Sequence, residues 1–433
     1  MVSESPLQIP KFDQLEARFK RLLVFESALL WILVGLSVSM LYYLVVYQST
    51  RLLLLPLLIF FVNLFLYGGW FYLDLFWQKK QRAKRLNPND KVGEYTGEEI
   101  RAMVEELFEP HRGKELPAIY ITERSDSFAH VVDSLWFNFL KPLNAVYLSK
   151  DLFYYLKRGE ILSTLSHELA HFYHYMYPIS RTKIILPIFL SLAPVFIVAS
   201  IGIFSAHLLF LIWMLLQWSL FWALGKRDRA MSQTMEFLCD HHAAKRFGVL
   251  NSINDLLMMS RVNEAYNLMQ RHLLLKIKKD PRLSIKDFSK IFDKVEETLP
   301  EGPFSTWKMK AVIAEVLASE EFRKKSKKLR KKQLKEEAEG IAAAMDSLVF
   351  RTHYRLLPWE NFDLGGRDGR IDAQEYPLLI RAIKEDPQAQ LFATYADDLE
   401  AMAEASHPAL RERILFLDSC KLPLHPKTGL NPS

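Results

Sequence analysis

Two histidines four residues apart with a glutamate between them, His167-Glu168-Leu169-Ala170-His171, form the pattern in this chain most able to do chemistry. On a helix, residues i and i+4 share a face, so both imidazoles can reach one ion. Glu168, one step round, can hold a water beside that ion. Zinc with two histidines, one further ligand and an open position is the arrangement of hydrolytic zinc sites. Such an ion lowers the pKa of a bound water to about 7 and polarises a carbonyl, while a carboxylate moves the protons. The stretch 160–175 predicts the helix: it has strong helix formers and no internal Gly or Pro, with Pro178 beyond to stop it. Leu162, Leu165, Leu169 and Phe172 make that helix largely buried, where two histidines need partners.

A second pattern, "SQTMEFLCDHHAAKRFG" (232–248), sets Glu236 and Asp240 four apart on another predicted helix. One of them can ligate the ion while the other accepts the outer N–H of a ligating histidine. Cys239, His241 and His242 are further donor types in this stretch. Cys239 is a soft donor three residues after Glu236, and the two histidines point elsewhere on the helix.

Between and before these patterns lie two apolar blocks, 22–77 and 184–224. A bilayer core takes about 20 apolar residues in helix. "SALLWILVGLSVSMLYYLVVY" (27–47) and "LLLLPLLIFFVNLFLYGGWFYL" (52–73) each meet that without a charge, which predicts a hairpin of two spans. The first block is too long for a signal-peptide core and lacks a small-residue cleavage site. The second block, with Pro187 and Pro194 in its first half and a short second half, predicts another hairpin, crossing or re-entrant. Lys20, Arg21, Lys79, Lys80, Arg82, Lys226 and Arg227 flank the outer ends of the hairpins. By the positive-inside rule, the termini and 78–183 then face the cytoplasm, together with every candidate catalytic residue.

The formal net charge of the 433-residue chain is +6, but the excess sits beside the apolar blocks and along Arg323 to Lys335. That is a solvated helix face or an attraction to anionic headgroups rather than a nucleic-acid signal. Two cysteines, Cys239 and Cys420, exclude a disulfide framework.

HExxH, then a hydrophobic hairpin, then ExxxD resembles the HtpX-type membrane zinc endopeptidases of metallopeptidase family 48, relatives of the CAAX prenyl endopeptidases. "SFAHVV" (127–132), "NAVYLSKDLFYYLKRGEILSTLSHELAH" (144–171) and "SHPALRERI" (406–414) resemble further motifs of that family. The resemblance covers about 22–250 and 395–417. It implies His167, His171 and Glu236 as zinc ligands, Glu168 as general base and Asp240 behind a ligating histidine. His407 and Arg413 are candidate donors to the oxyanion, unless the His-Pro…Arg segment only caps and packs a helix. Gln233 and Cys239 depart from the family pattern, where arginine and alanine are usual.

The expected fold is mainly α with a small β-sheet: a multi-pass membrane protein carrying a zincin-type metallopeptidase domain. Its parts are an N-terminal segment (1–21), hairpin 1 (22–77), peptidase sequence with HExxH (78–183), hairpin 2 (184–224), peptidase sequence with ExxxD (225–260), an inserted helical region (261–390) and a C-terminal peptidase segment (391–433). "NAVYLS" (144–149) reads as an edge strand on which an extended substrate could pair. "FDLGGRDGRIDAQEY" (362–376) partly resembles a calcium loop over Asp368 to Glu375, with two oxygen ligands missing. The expected function is zinc-dependent cleavage of membrane-associated or misfolded proteins in a cell (inner) membrane. A CAAX-type processing protease and a non-catalytic membrane scaffold are the alternatives.

Overall fold

The computed structural model describes residues 9–47, 83–107, 116, 118–122, 129–132, 145–175, a few positions between 186 and 196, 229–279, 288–298, 306–318, 357, 359–365, 369–386, 390–392 and 407–426. The chain is mainly helical with a small sheet. Of the expected membrane segments, 52–73 and nearly all of 184–224 lie outside the described residues.

Helix α1 (Phe12–Tyr47) is one continuous rod of 36 residues with two characters. Leu15 and Phe19, in its first turns, are buried in the core beside Phe237, Leu238 and Phe416. Further along, Trp31, Ile32, Val38, Tyr42 and Val45 turn outward, each more than half exposed. The helix is long and apolar enough to cross a membrane, with a mean hydropathy of 2.2 over its most apolar window. A soluble core helix would hide those side chains; only about a fifth of that window is buried. The boundary expected at 21/22 falls inside this helix, so the N-terminal segment and the apolar stretch are one continuous helix.

The sheet strands are β1 (Lys84–Arg85), β4 (Ala118–Thr122), β5 (Ala129–Val132) and β6 (Ala145–Ser149), in the order β1-β4-β6-β5. A two-residue ribbon of β2 (Lys91–Val92) and β3 (Tyr95–Thr96) stands apart. β6 is parallel to β4 and antiparallel to β5, with Val146 opposite Ile119 on one side and Val131 on the other. The edge strand expected at 144–149 is therefore an interior strand, and all five residues of β6 are buried. An apolar run without alternation belongs to a strand covered on both faces. Among the described residues the outer position on that side of the sheet falls to β5, the "SFAHVV" stretch.

Helices α2 (Gly97–Leu107), α3 (Lys150–Tyr155) and α4 (Arg158–Tyr173) pack on this sheet through Ile100, Val104, Leu152, Ile161 and Leu165. Then come a helix at 229–247 (α5) and α6 (Val249–Lys279), which runs straight through the domain boundary expected at 260. Helices α7 (Phe288–Thr298) and α8 (Thr306–Ala318) cover the far half of α6 through Ile291, Val295 and Ile313. Helix α9 (Tyr376–Glu385) and α10 (Leu410–Ser419) share the core of α1, α5 and α6. Part of the expected insertion is thus built into the body of the protein.

Gly248 separates α5 from α6 at φ +88, and a Cβ there would come within 2.6 Å of the Leu424 carbonyl oxygen. The approach has a purpose: the Pro423 and Leu424 carbonyls accept from the Val249 and Leu250 N–H groups at 3.0 and 3.1 Å. They satisfy donors that a helix start leaves open. Gly248→Ala is expected to lower stability by about 1–3 kcal/mol from backbone strain alone, read as an earlier midpoint in chemical denaturation.

Candidate metal centre

Ile161, Leu165, Leu169 and Tyr173 recur every fourth residue along α4 and are buried against the sheet and α2. This anchors one face and leaves the His167–His171 row turned toward α5. On α5 the matching row is Glu236 and Asp240, both buried.

The two rows interlock. His167 Nε2 lies 3.2 Å from His171 Nε2 and 3.3 Å from Glu236 Oε2, and His171 Nε2 lies 3.4 Å from Glu236 Oε1. Behind them, His167 Nδ1 is 2.9 Å from Asp240 Oδ1. A carboxylate only accepts, so Nδ1 carries a hydrogen toward Asp240 and Nε2 is the ring nitrogen turned to Glu236. Two imidazole nitrogens and a carboxylate then converge on one point, an arrangement that a proton on an imidazole or a bound metal ion would each satisfy. The His167 imidazole shows the same demand. Burial pushes its pKa down, yet hydrogen bonds to Asp240 and Glu236 outweigh this and raise it to about 10.

Burial also acts to raise the Glu236 carboxyl, but the two histidines hold it well below the usual carboxylate range. Asp240 is kept below that range against its burial, chiefly by the charge of Arg413. Arg413 donates from Nε to Asp240 Oδ2 at 2.7 Å and from Nη2 to Asp240 Oδ1 at 2.6 Å, and Nη2 lies 3.6 Å from Glu236 Oε2. This fork is the strong form of a charged hydrogen bond. Its position follows from α10, whose Phe416 packs on Phe237 of α5 with ring centroids 5.0 Å apart. Arg413, a candidate donor to an oxyanion or a packing residue by sequence, here directs its guanidinium to Asp240, where it fixes the carboxylate that fixes His167. His407 stays at the rim, 62% exposed, with Nε2 3.4 Å from Glu236 Oε1.

Glu168 differs from the other carboxylates. Burial lifts its carboxyl above the usual range, while His167 and His171 pull the other way. All the residues singled out by motif, His167, Glu168, His171, Glu236, Asp240, His407 and Arg413, belong to this one cluster. Cys239 joins them: its Sγ is 3.3 Å from His171 Nδ1. Burial pushes its thiol well above the usual range, and Glu236 and Asp240 add to that. Donor atoms of His167, His171 and Cys239 lie within 4.8 Å of one another, a group that could hold a metal ion. The signal for Cys239 was its i+3 spacing from Glu236, which places it on the same flank of α5. His241 and His242 lie elsewhere, stacked on Phe12 and tilted against His174.

The loop read as a partial calcium site uses its acids differently. Glu375 Oε1 accepts from the Leu364 and Gly365 N–H groups and Oε2 from Asp372 N–H, while Asp363 Oδ2 accepts from Gly369 N–H. Asp372 Oδ1 caps the turn by accepting from Gln374 and Glu375. These carboxylates hold the loop by backbone hydrogen bonds, and Asp368 lies outside the described residues.

No protein-family model matches the chain, and no curated protein or solved structure matches it either.

Proposed function

We propose that this protein is a membrane-anchored zinc endopeptidase that hydrolyses peptide bonds of membrane-associated or misfolded proteins. The observation that carries the reading is the convergence of His167 Nε2, His171 Nε2 and the Glu236 carboxylate, with Glu168 on the same helix turn. The two Nε2 atoms stand 3.2 Å apart, close to the edge of about 3.3–3.4 Å that a tetrahedron gives for zinc ligands at 2.0–2.1 Å, and each lies 3.3–3.4 Å from its own oxygen of the Glu236 carboxylate. His167, His171 and Glu236 would hold the ion. When bound, zinc supplies a Lewis acid that polarises the scissile carbonyl and acidifies water.

The chain's own groups do the rest. Glu168 accepts a proton at its carboxylate from the attacking water and returns it to the leaving amine; its raised pKa brings it nearer the operating pH. Asp240 holds the His167 N–H and so keeps Nε2 free to bind, and Arg413 keeps Asp240 ionised and aimed. His407, at the exposed rim beside Glu236, is placed to donate to an oxyanion as the carbonyl is attacked. β5 lies against α4, and its outer edge offers an extended substrate main-chain pairing with little demand on sequence.

The remaining parts follow from α1. Its buried first turns tie the catalytic body to a helix whose outer part suits a bilayer, and Lys20 and Arg21 mark the body's side as cytoplasmic. With the apolar stretches 52–73 and 184–224 the protein crosses the inner membrane several times, its site facing the cytoplasm. Purified in detergent with zinc, it is expected to bind one ion per chain and to fragment casein, both lost after chelation and both restored by zinc. Full cleavage after complete metal removal would overturn the proposal.

A further inference from the structure

Among the described residues, the group that stands behind His171 is a sulfur, Cys239 Sγ at 3.3 Å from Nδ1. We infer that Cys239 is a positioning residue for the metal site, its Sγ accepting the Nδ1–H of His171 and so committing Nε2 of that ring to the metal. The inference rests on the zinc reading above and adds to it a division of labour between two adjacent residues of α5. Asp240 orients His167, and Cys239 orients His171.

Geometry separates this role from direct ligation. Cys239 Sγ contacts Nδ1, while Nε2 of the same ring lies 3.2 Å from His167 Nε2 and 3.4 Å from Glu236. The two nitrogens of one imidazole point outward from opposite sides of the ring, so one ion takes one of them. The convergence of three donors selects Nε2, and Nδ1 then has to carry the hydrogen. A hydrogen on Nδ1 needs an acceptor, and Cys239 Sγ at 3.3 Å is within reach of a sulfur hydrogen bond. Sulfur is a weak acceptor, and that suits the charge balance. Glu168, Glu236 and Asp240 already match the charge of a divalent ion plus the Arg413 guanidinium. A carboxylate behind His171 would add an uncompensated buried charge.

The test compares wild type, Cys239→Ala and Cys239→Ser in zinc affinity, by competition with a chromophoric chelator, and in the visible and near-ultraviolet spectrum of the cobalt-substituted protein. Circular dichroism melts of the metal-free proteins check folding. Wild-type cobalt protein is expected to show no thiolate-to-metal charge-transfer band. Cys239→Ala should bind zinc about 10- to 100-fold more weakly, and Cys239→Ser, which keeps an acceptor, should recover most of that loss. Equal zinc affinity in wild type and Cys239→Ala would overturn the positioning role while leaving the zinc site standing. A charge-transfer band in wild type that disappears in Cys239→Ser would overturn it in favour of direct ligation. A wild-type protein that binds no zinc would overturn the zinc reading, and this inference with it.

Discussion

Glu168→Gln is expected to lower casein cleavage by about 10²–10⁴-fold, the range contributed by a positioned general base, with zinc still bound one per chain. The separation of the two readouts comes from the geometry. Glu168 shares the α4 turn of His167 and His171, but the donors that converge are the two Nε2 atoms and Glu236. Glutamine fills the same volume, so metal binding and folding should persist while the group that takes the proton is gone. Its glutamate must do this from a site where burial raises its pKa, which makes the carboxylate a stronger base than one in water. Substantial cleavage by the zinc-loaded variant, confirmed by metal analysis, would remove Glu168 from the mechanism. Loss of zinc together with activity would instead assign it to the ligand set.

The second large effect concerns a residue far from the motifs. Arg370 donates from Nε to Glu160 Oε1 at 2.6 Å, and from Nη2 to Glu160 Oε2 at 2.9 Å and to the Tyr155 carbonyl at 2.8 Å. The pair is nearly hidden, the side chains being 14% and 3% exposed. Glu160 Oε2 also accepts from Lys157 N–H at 2.8 Å, so the same carboxylate closes the first turn of α4. Ile371, next to Arg370, is held on both sides of its backbone by the Asn254 amide at 2.8 and 2.9 Å. Removing the guanidinium leaves a buried carboxylate with one backbone donor. Arg370→Ala is therefore expected to destabilise by about 3–5 kcal/mol. A thermal melt should show the unfolding midpoint falling by roughly 3–6 °C. Replacing both partners together, as Glu160→Gln with Arg370→Met, should recover much of that loss, because the cost comes from the charge left alone. A drop below about 1 kcal/mol for Arg370→Ala would show that water reaches Glu160 freely.

These two cases mark what sequence reasoning could and could not reach. Within each pair, His167 with His171 and Glu236 with Asp240, the shared face was legible because four residues on a helix mean one face; that the two pairs meet was implied by the family resemblance rather than by spacing. The apolar half of α1 was legible for a similar reason, since its character is carried by consecutive residues. Arg370 and Glu160 are 210 residues apart, and no periodicity links them. The segment around Arg370 was read as part of an insertion; its charge pattern left a plain turn and a partial calcium loop both open, and its described acids accept from the backbone. The strand at 145–149 was misplaced at the edge because its side chains say only that it is buried, and burial on both faces does not reveal the pairing partners. The role of Arg413 was open in the same way. Its proximity to the site could be anticipated from the motif, but whether its fork would face a substrate or Asp240 depends on how α10 docks on α5.

The fork between Arg413 and Asp240 spans 173 residues of chain. Translated at 5–20 residues per second, Asp240 is made about 10–35 s before the arginine that holds it. During that interval a growing chain already carries both histidines, Glu168 and Glu236, yet the carboxylate behind His167 has no guanidinium to keep it ionised and aimed. For an enzyme of the proposed kind, the order of synthesis is itself a safeguard. The site's last part to be made is the guanidinium on α10, so a chain cut short before Arg413 carries the convergent donors without the group that holds Asp240.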